Sequence, residues 1–124
     1  MAEKVYSVDE ANALIPKLKP LLERIRKTQE ELAKDKTVAA VREKAAQNGG
    51  GLPGRHLSAL TKTLDADLRQ LAAWGIVLRD PSIGLVDFMH QREGETVCLC
   101  WKLGESRVEW WHPLETGIAG RQRL

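Results

Sequence analysis

The chain has 124 residues, 43% of them hydrophobic, with 19 basic and 17 acidic side chains and a formal charge of +2. That length suits a single domain over 1–124 with enough apolar residues for a core. Mixed, near-neutral charge argues against a dedicated basic surface for nucleic acid, and no apolar run approaches the ~20 residues of a membrane span. The opening MAEKVYSVDE has no apolar stretch of the secretory kind, so the expected compartment is the cytoplasm.

Residues 1–75 read as helical. Ser7-Val8-Asp9-Glu10 has the form of a capping box, with hydroxyl and carboxylate reaching each other's backbone amides. A short helix through Ala11, Asn12 and Leu14 should end at Pro16, which lacks an amide donor and disfavours helix at Ile15. A second helix then starts on Pro16 and carries Pro20 in its early turns. Its apolar stripe is Leu18, Leu21, Leu22, Ile25 and Leu32, with Glu23, Lys27, Glu30, Glu31 and Lys34 on the other side. Asp35-Lys36-Thr37 weakens the stripe. With no Gly or Pro there, the reading is one helix to about Gln47.

Asn48-Gly49-Gly50-Gly51 stops that helix, and Pro53 opens the next as its first residue. Leu57, Leu60, Leu64, Leu68 and Leu71 form its stripe, and Trp74-Gly75 closes it. A short loop predicts an antiparallel hairpin of the two long helices.

Residues 76–124 read as β. Ile76-Val77-Leu78 is either a short strand or an extended connector. Glu93-Gly94 and Gly104-Glu105 read as two tight primed turns. Counting out from them gives a three-stranded antiparallel meander, roughly Leu85–Gln91, Thr96–Lys102 and Arg107–His112. The first turn sets Asp87 opposite Cys100, Phe88 opposite Leu99 and His90 opposite Val97. The second sets Trp101 opposite Val108, Cys100 opposite Glu109, Leu99 opposite Trp110 and Val97 opposite His112. Alternation then puts Val86, Phe88, Leu99, Trp101, Val108 and Trp110 on a hydrophobic floor. Leu85, Asp87, Met89, Cys98, Cys100, Glu109 and Trp111 fall on the other face. Pro113 stops the last strand, and the tail to Leu124 is a loop.

The second face holds the candidate functional residues: Asp87, Cys98, Cys100, Glu105, Glu109, Trp111, His112 and Arg121. Carboxylate, thiolate and imidazole at Asp87, Cys100 and His112 form a donor set suited to zinc. This register points His112 to the opposite face, so no metal is assigned. The same objection meets a Cys100 nucleophile with His112 as base and Asp87, Glu105 or Glu109 as orienting acid. His90 and His112 share a face, but one strand lies between them, which is too far for shared ligation. The plain reading of the face is a buried polar row, with Asp87 bonded to a backbone amide or to Arg121, and with Cys98 and Cys100 as packed thiols. Trp101 and Trp110 belong to the floor; Trp111 is the candidate for an exposed or interfacial role.

EAN-x-L-I-P at Glu10–Pro16, GIVLRD at Gly75–Asp80, GLVDF at Gly84–Phe88, LCW-x-x-GE at Leu99–Glu105, WH at Trp111-His112 and G-x-x-GR at Gly117–Arg121 recur in this order along nearly the whole chain. In these motifs the sequence resembles a family of small bacterial proteins known only as a domain of unknown function. Met89 stands where that pattern has Pro. The resemblance implies a bacterial source and a fold of helical hairpin plus sheet, and it implies no activity or cofactor.

The expected fold is therefore α+β: a short N-terminal helix, a long antiparallel helical hairpin, and a C-terminal three-stranded meander. The leading functional expectation is a non-enzymatic, self-associating interaction module, a homodimer along the long helices. The alternatives are a small metal- or thiol-dependent enzyme using the Asp87/Cys100 face, and nucleic-acid binding through Arg121 and Arg123.

Overall fold

The computed structural model describes residues 4–45 and 53–124, with side chains at 4–34 and 58–124. Two helices, α1 (Val8–Ala45) and α2 (Pro53–Ala73), precede a five-stranded antiparallel sheet in the order β1-β2-β3-β4-β5. Its strands are β1 (Ile76–Asp80), β2 (Leu85–Arg92), β3 (Glu95–Trp101), β4 (Trp110–Pro113) and β5 (Gln122–Arg123). A single 3₁₀ turn, Gly117–Gly120, lies between the last two. The glycine turn at Asn48–Gly51 falls outside the described residues.

The capping box forms as read. The Ser7 hydroxyl accepts from the Glu10 amide at 3.0 Å, and Glu10 Oε1 accepts from the Ser7 amide at 2.8 Å. The break at Pro16 does not occur: α1 runs unbroken through Pro16 and Pro20. Both prolines are exposed. The carbonyls of Asn12 and Pro16, four residues upstream of each, lose their helical donors on a side that water reaches. The opposite side is apolar without interruption. Ala11, Ile15, Leu18, Leu22 and Ile25 are buried at helical spacing and lie on the sheet floor of Val86, Phe88, Leu99 and Trp101.

α2 packs on α1, fastened where Arg24 donates to both oxygens of the buried Asp67, at 2.7 and 2.6 Å. Asp67 thus takes a place in the expected leucine stripe. Leu71 is buried, Leu60 and Leu64 are half-buried, and Leu68 is turned outward, 38% exposed. A helical stripe drifts around the axis, and the ion pair fixes which flank faces α1.

Ile76-Val77-Leu78 is a strand, pairing Val77 with Asp87 and Leu78 with Val86 before a bulge at Arg79. Glu93 and Gly94 both have positive φ, 51° and 82°, as a type I′ turn requires, and β2–β3 has the expected register.

The β3–β4 register is one residue away from expectation: Cys100 faces Trp110, Leu99 faces Trp111 and Cys98 faces His112. No two-residue hairpin forms at Gly104-Glu105. Instead the Glu105 amide donates to Lys102 O at 3.1 Å, with Gly104 third in the turn at φ 102°. Trp101 Nε1 donates to Glu105 O, and the Val108 amide donates to Asn12 Oδ1 of α1 at 2.7 Å. Val108 is therefore buried but held by the helix, not paired across from Trp101. The slip exchanges the faces of β4. Trp111 packs at the floor with Arg92 over its ring at 4.6 Å, and Trp110 joins the Asp87 face. The tail also departs from the loop reading, since β5 pairs Arg123 with Trp110 and Gln122 with Trp111.

Candidate functional site

β2 and β3 set Asp87 directly opposite Cys100, both fully buried on the face away from α1. The slipped register puts His112 on that same face, opposite Cys98. The objection that separated His112 from the row is therefore removed. His112 and Asp87 are each only 1% exposed, and His112 Nε2 lies 3.0 Å from Asp87 Oδ1. Its other nitrogen, Nδ1, lies 2.7 Å from the carbonyl oxygen of Pro113. One ligating atom each from Asp87, Cys100 and His112 falls within 4.8 Å of the other two.

The second oxygen of Asp87 accepts from Arg79 Nε at 2.7 Å. This corrects the expected partner, a backbone amide or Arg121. The sequence alone gives Arg79 no side, because Ile76-Val77-Leu78 reads equally as strand or connector. Once Ile76–Asp80 is a strand paired to β2, period-two alternation puts Val77 and Arg79 on the Asp87 side. The hydrogen bond to Asp87 pushes the Arg79 guanidinium further up from its ordinary range.

Both cysteines are free and buried. Burial pushes the Cys100 thiol up to about 12; Arg121 opposes the rise, while the carboxylates of Asp87 and Glu105 add to it. Burial also raises Cys98, with the Asp87 charge adding and Arg79 opposing. A thiol so held is not an available thiolate at neutral pH. No side chain of the cluster lines the surface hollows formed by Asn12, Val108 and Leu124, by Arg26, Glu30 and Ser82, or by Arg92, Val97 and Trp111.

The other candidates are dispersed. Glu109 leaves the row: it precedes β4, and its carboxylate meets Arg123 at 2.6 Å and Arg107 at 3.5 Å. Glu105 pairs through both oxygens with Arg121 Nη2 at 2.9 Å. Arg121 and Arg123 also lie over the Trp110 ring, at 5.0 and 5.4 Å. Both C-terminal arginines thus have intramolecular partners. Trp111 belongs to the opposite face. His90, correctly opposite Val97, faces the Tyr6 carbonyl through Nδ1 at 2.7 Å, so the two histidines lie on opposite sides of the sheet. Among the described residues, no helix is long and apolar enough to cross a membrane.

A family model described as an uncharacterized conserved protein (DUF2203) matches residues 4–124. No curated protein and no solved structure matches the chain.

Proposed function

The chain belongs to this uncharacterised conserved family, and we propose that it is a non-enzymatic module that self-associates through its helical hairpin. The observation that carries this reading is the incomplete burial of leucines on both helices. On α1, Leu22, Ile25 and Thr28 are buried, while Leu32 is only half-buried. On α2, Leu71 is buried, Leu64 and Leu60 are half-buried, and Leu68 is exposed. On α1 the fall in burial coincides with the edge of the sheet. Its β1–β2 turn, at Ser82, lies beside Glu23, Arg26, Lys27 and Glu30. α1 continues to Ala45, roughly 20 Å further at 1.5 Å per residue.

Leu60, Leu64 and Leu68 stand at i, i+4 and i+8, one ridge along α2. Asp65 and Arg69 flank that ridge, 2.8 Å apart and both well exposed. A second copy packed antiparallel across a two-fold axis at Leu64 sets each Leu60 against the partner's Leu68, so the ridge is self-complementary. Two hairpins closed this way form a four-helix bundle.

The cluster at Asp87 gives catalysis little support. Its thiols are buried, burial raises both, and no side chain of the cluster lines the three hollows named above. The nucleic-acid alternative needs free arginines, and Arg121 and Arg123 are paired.

The test compares Leu60→Glu and Leu68→Glu with the wild type by light scattering and far-UV circular dichroism. The expected result is a fall from twice the chain mass to once, with helicity retained, because an unpaired charge in the seam opposes association. Variants that keep both their fold and the wild-type mass place the interface elsewhere.

A further inference from the structure

His112 has an acceptor oxygen at each ring nitrogen. Nδ1 faces the Pro113 carbonyl at 2.7 Å, an oxygen that can only accept. Nδ1 bonds that oxygen only in the tautomer that places the proton on Nδ1. In neutral imidazole that leaves a lone pair on Nε2. Nε2 faces Asp87 Oδ1 at 3.0 Å. The other Asp87 oxygen is held by the Arg79 guanidinium at 2.7 Å, the pairing of an ionised carboxylate. Two lone pairs at hydrogen-bond distance inside a buried site repel unless something positive bridges them. That centre is a proton or a metal ion.

The third group points to a metal ion. Cys100 Sγ lies within 4.8 Å of both the carboxylate and the imidazole. A shared proton uses no thiol. A borderline-soft divalent ion uses all three, since it takes oxygen, nitrogen and sulfur donors together. We propose that Asp87, Cys100 and His112 form a zinc site closed within the sheet.

Zinc bonds run about 2.0 Å to nitrogen and oxygen and about 2.3 Å to sulfur, so tetrahedral ligands stand roughly 3.3–3.6 Å apart. Asp87 and His112 open by a few tenths of an ångström to admit the ion, and Cys100 closes from at most 4.8 Å. The charges balance. One carboxylate and one thiolate neutralise the ion, and the Cys100 proton leaves to bulk solvent. The surroundings have the form of an outer shell. The Pro113 carbonyl fixes the His112 tautomer with Nε2 free to ligate, and Arg79 orients the Asp87 carboxylate through the oxygen the ion does not use. Burial of all three ligands suits a structural site, and Cys98 lies opposite His112 on the same face.

The experiment uses untagged full-length protein, stripped with a chelator and titrated with zinc and with cobalt(II). One equivalent of metal per chain is expected, with a near-ultraviolet thiolate-to-cobalt band and a zinc-dependent rise in Tm. Cys100→Ser, nearly isosteric, should lose the band and weaken zinc binding at least tenfold. His112→Ala should weaken it likewise; if that variant does not fold, Cys100→Ser still decides. Cys98→Ser reports whether a second thiolate adds to the band. Substoichiometric binding by the wild type would overturn the site, as would a cobalt band that survives Cys100→Ser. Either result leaves a proton as the bridge between His112 and Asp87.

Discussion

Asp87 is the residue on which the second face depends. Removing its carboxylate leaves a buried imidazole nitrogen and the Arg79 guanidinium without their acceptor. Asp87→Ala in chelator-treated protein should therefore lower stability by about 1–3 kcal/mol. Chemical denaturation measures this; an unchanged midpoint would mean that the carboxylate is not an essential acceptor. The thiols give a second expectation at this scale. Cys98 and Cys100 are fully buried, and burial raises both. Neither should react with an aromatic disulfide reagent near neutral pH until denaturant opens the sheet. Rapid modification of one thiol in the native protein would contradict that burial. Asp87, Cys100 and His112 were each visible in the sequence as donor types. Their convergence was not, because it depends on a register set elsewhere. Arg79 was missed for a related reason: its side becomes defined only when its strand has a partner.

At the scale of elements, local signals decided some cases and distant contacts decided others. Glu93-Gly94 satisfies a type I′ turn by itself, so the β2–β3 register was legible. Gly104 fits either the first central position of one turn or the second of another. The choice falls to the Val108 amide and Asn12, residues far apart in sequence. A local reading has no access to that bond. The prolines of α1 teach the converse. Ala11, Ile15, Leu18, Leu22 and Ile25 keep one helical phase straight through Pro16, a pattern that outweighs a missing donor on the wet side. Replacing Pro20 with Ala restores an amide to an unbroken helix, so Pro20→Ala should raise Tm. A helix interrupted at this point would gain nothing. The start of α1 carries a pH dependence. Hydrogen bonds from Ser7 hold the Glu10 carboxyl below its ordinary range. A depressed carboxyl stabilises the fold above its unfolded pKa, and the contribution is lost as pH falls through the lower folded value. The Tm difference between wild type and Glu10→Ala should therefore narrow on acidification. A constant difference would mean that Glu10 takes no part in the cap.

At the scale of the whole molecule, the α+β division near Gly75 follows from the change of period from helical to alternating, and that much was plain in the sequence. The tail was not. β5 is two residues long, and its pairing to β4 depends on Arg123 finding Glu109 and Trp110. α1 continues past the β1–β2 turn, and Leu60, Leu64 and Leu68 are all less buried than Leu71. Self-association is the central claim that follows from that geometry, and its most direct measurement is the mass of the untagged wild-type chain by light scattering across the micromolar range. A mass near twice 13.9 kDa, falling toward the chain mass on dilution, is the predicted result. A mass that stays at the chain value at every concentration would contradict it.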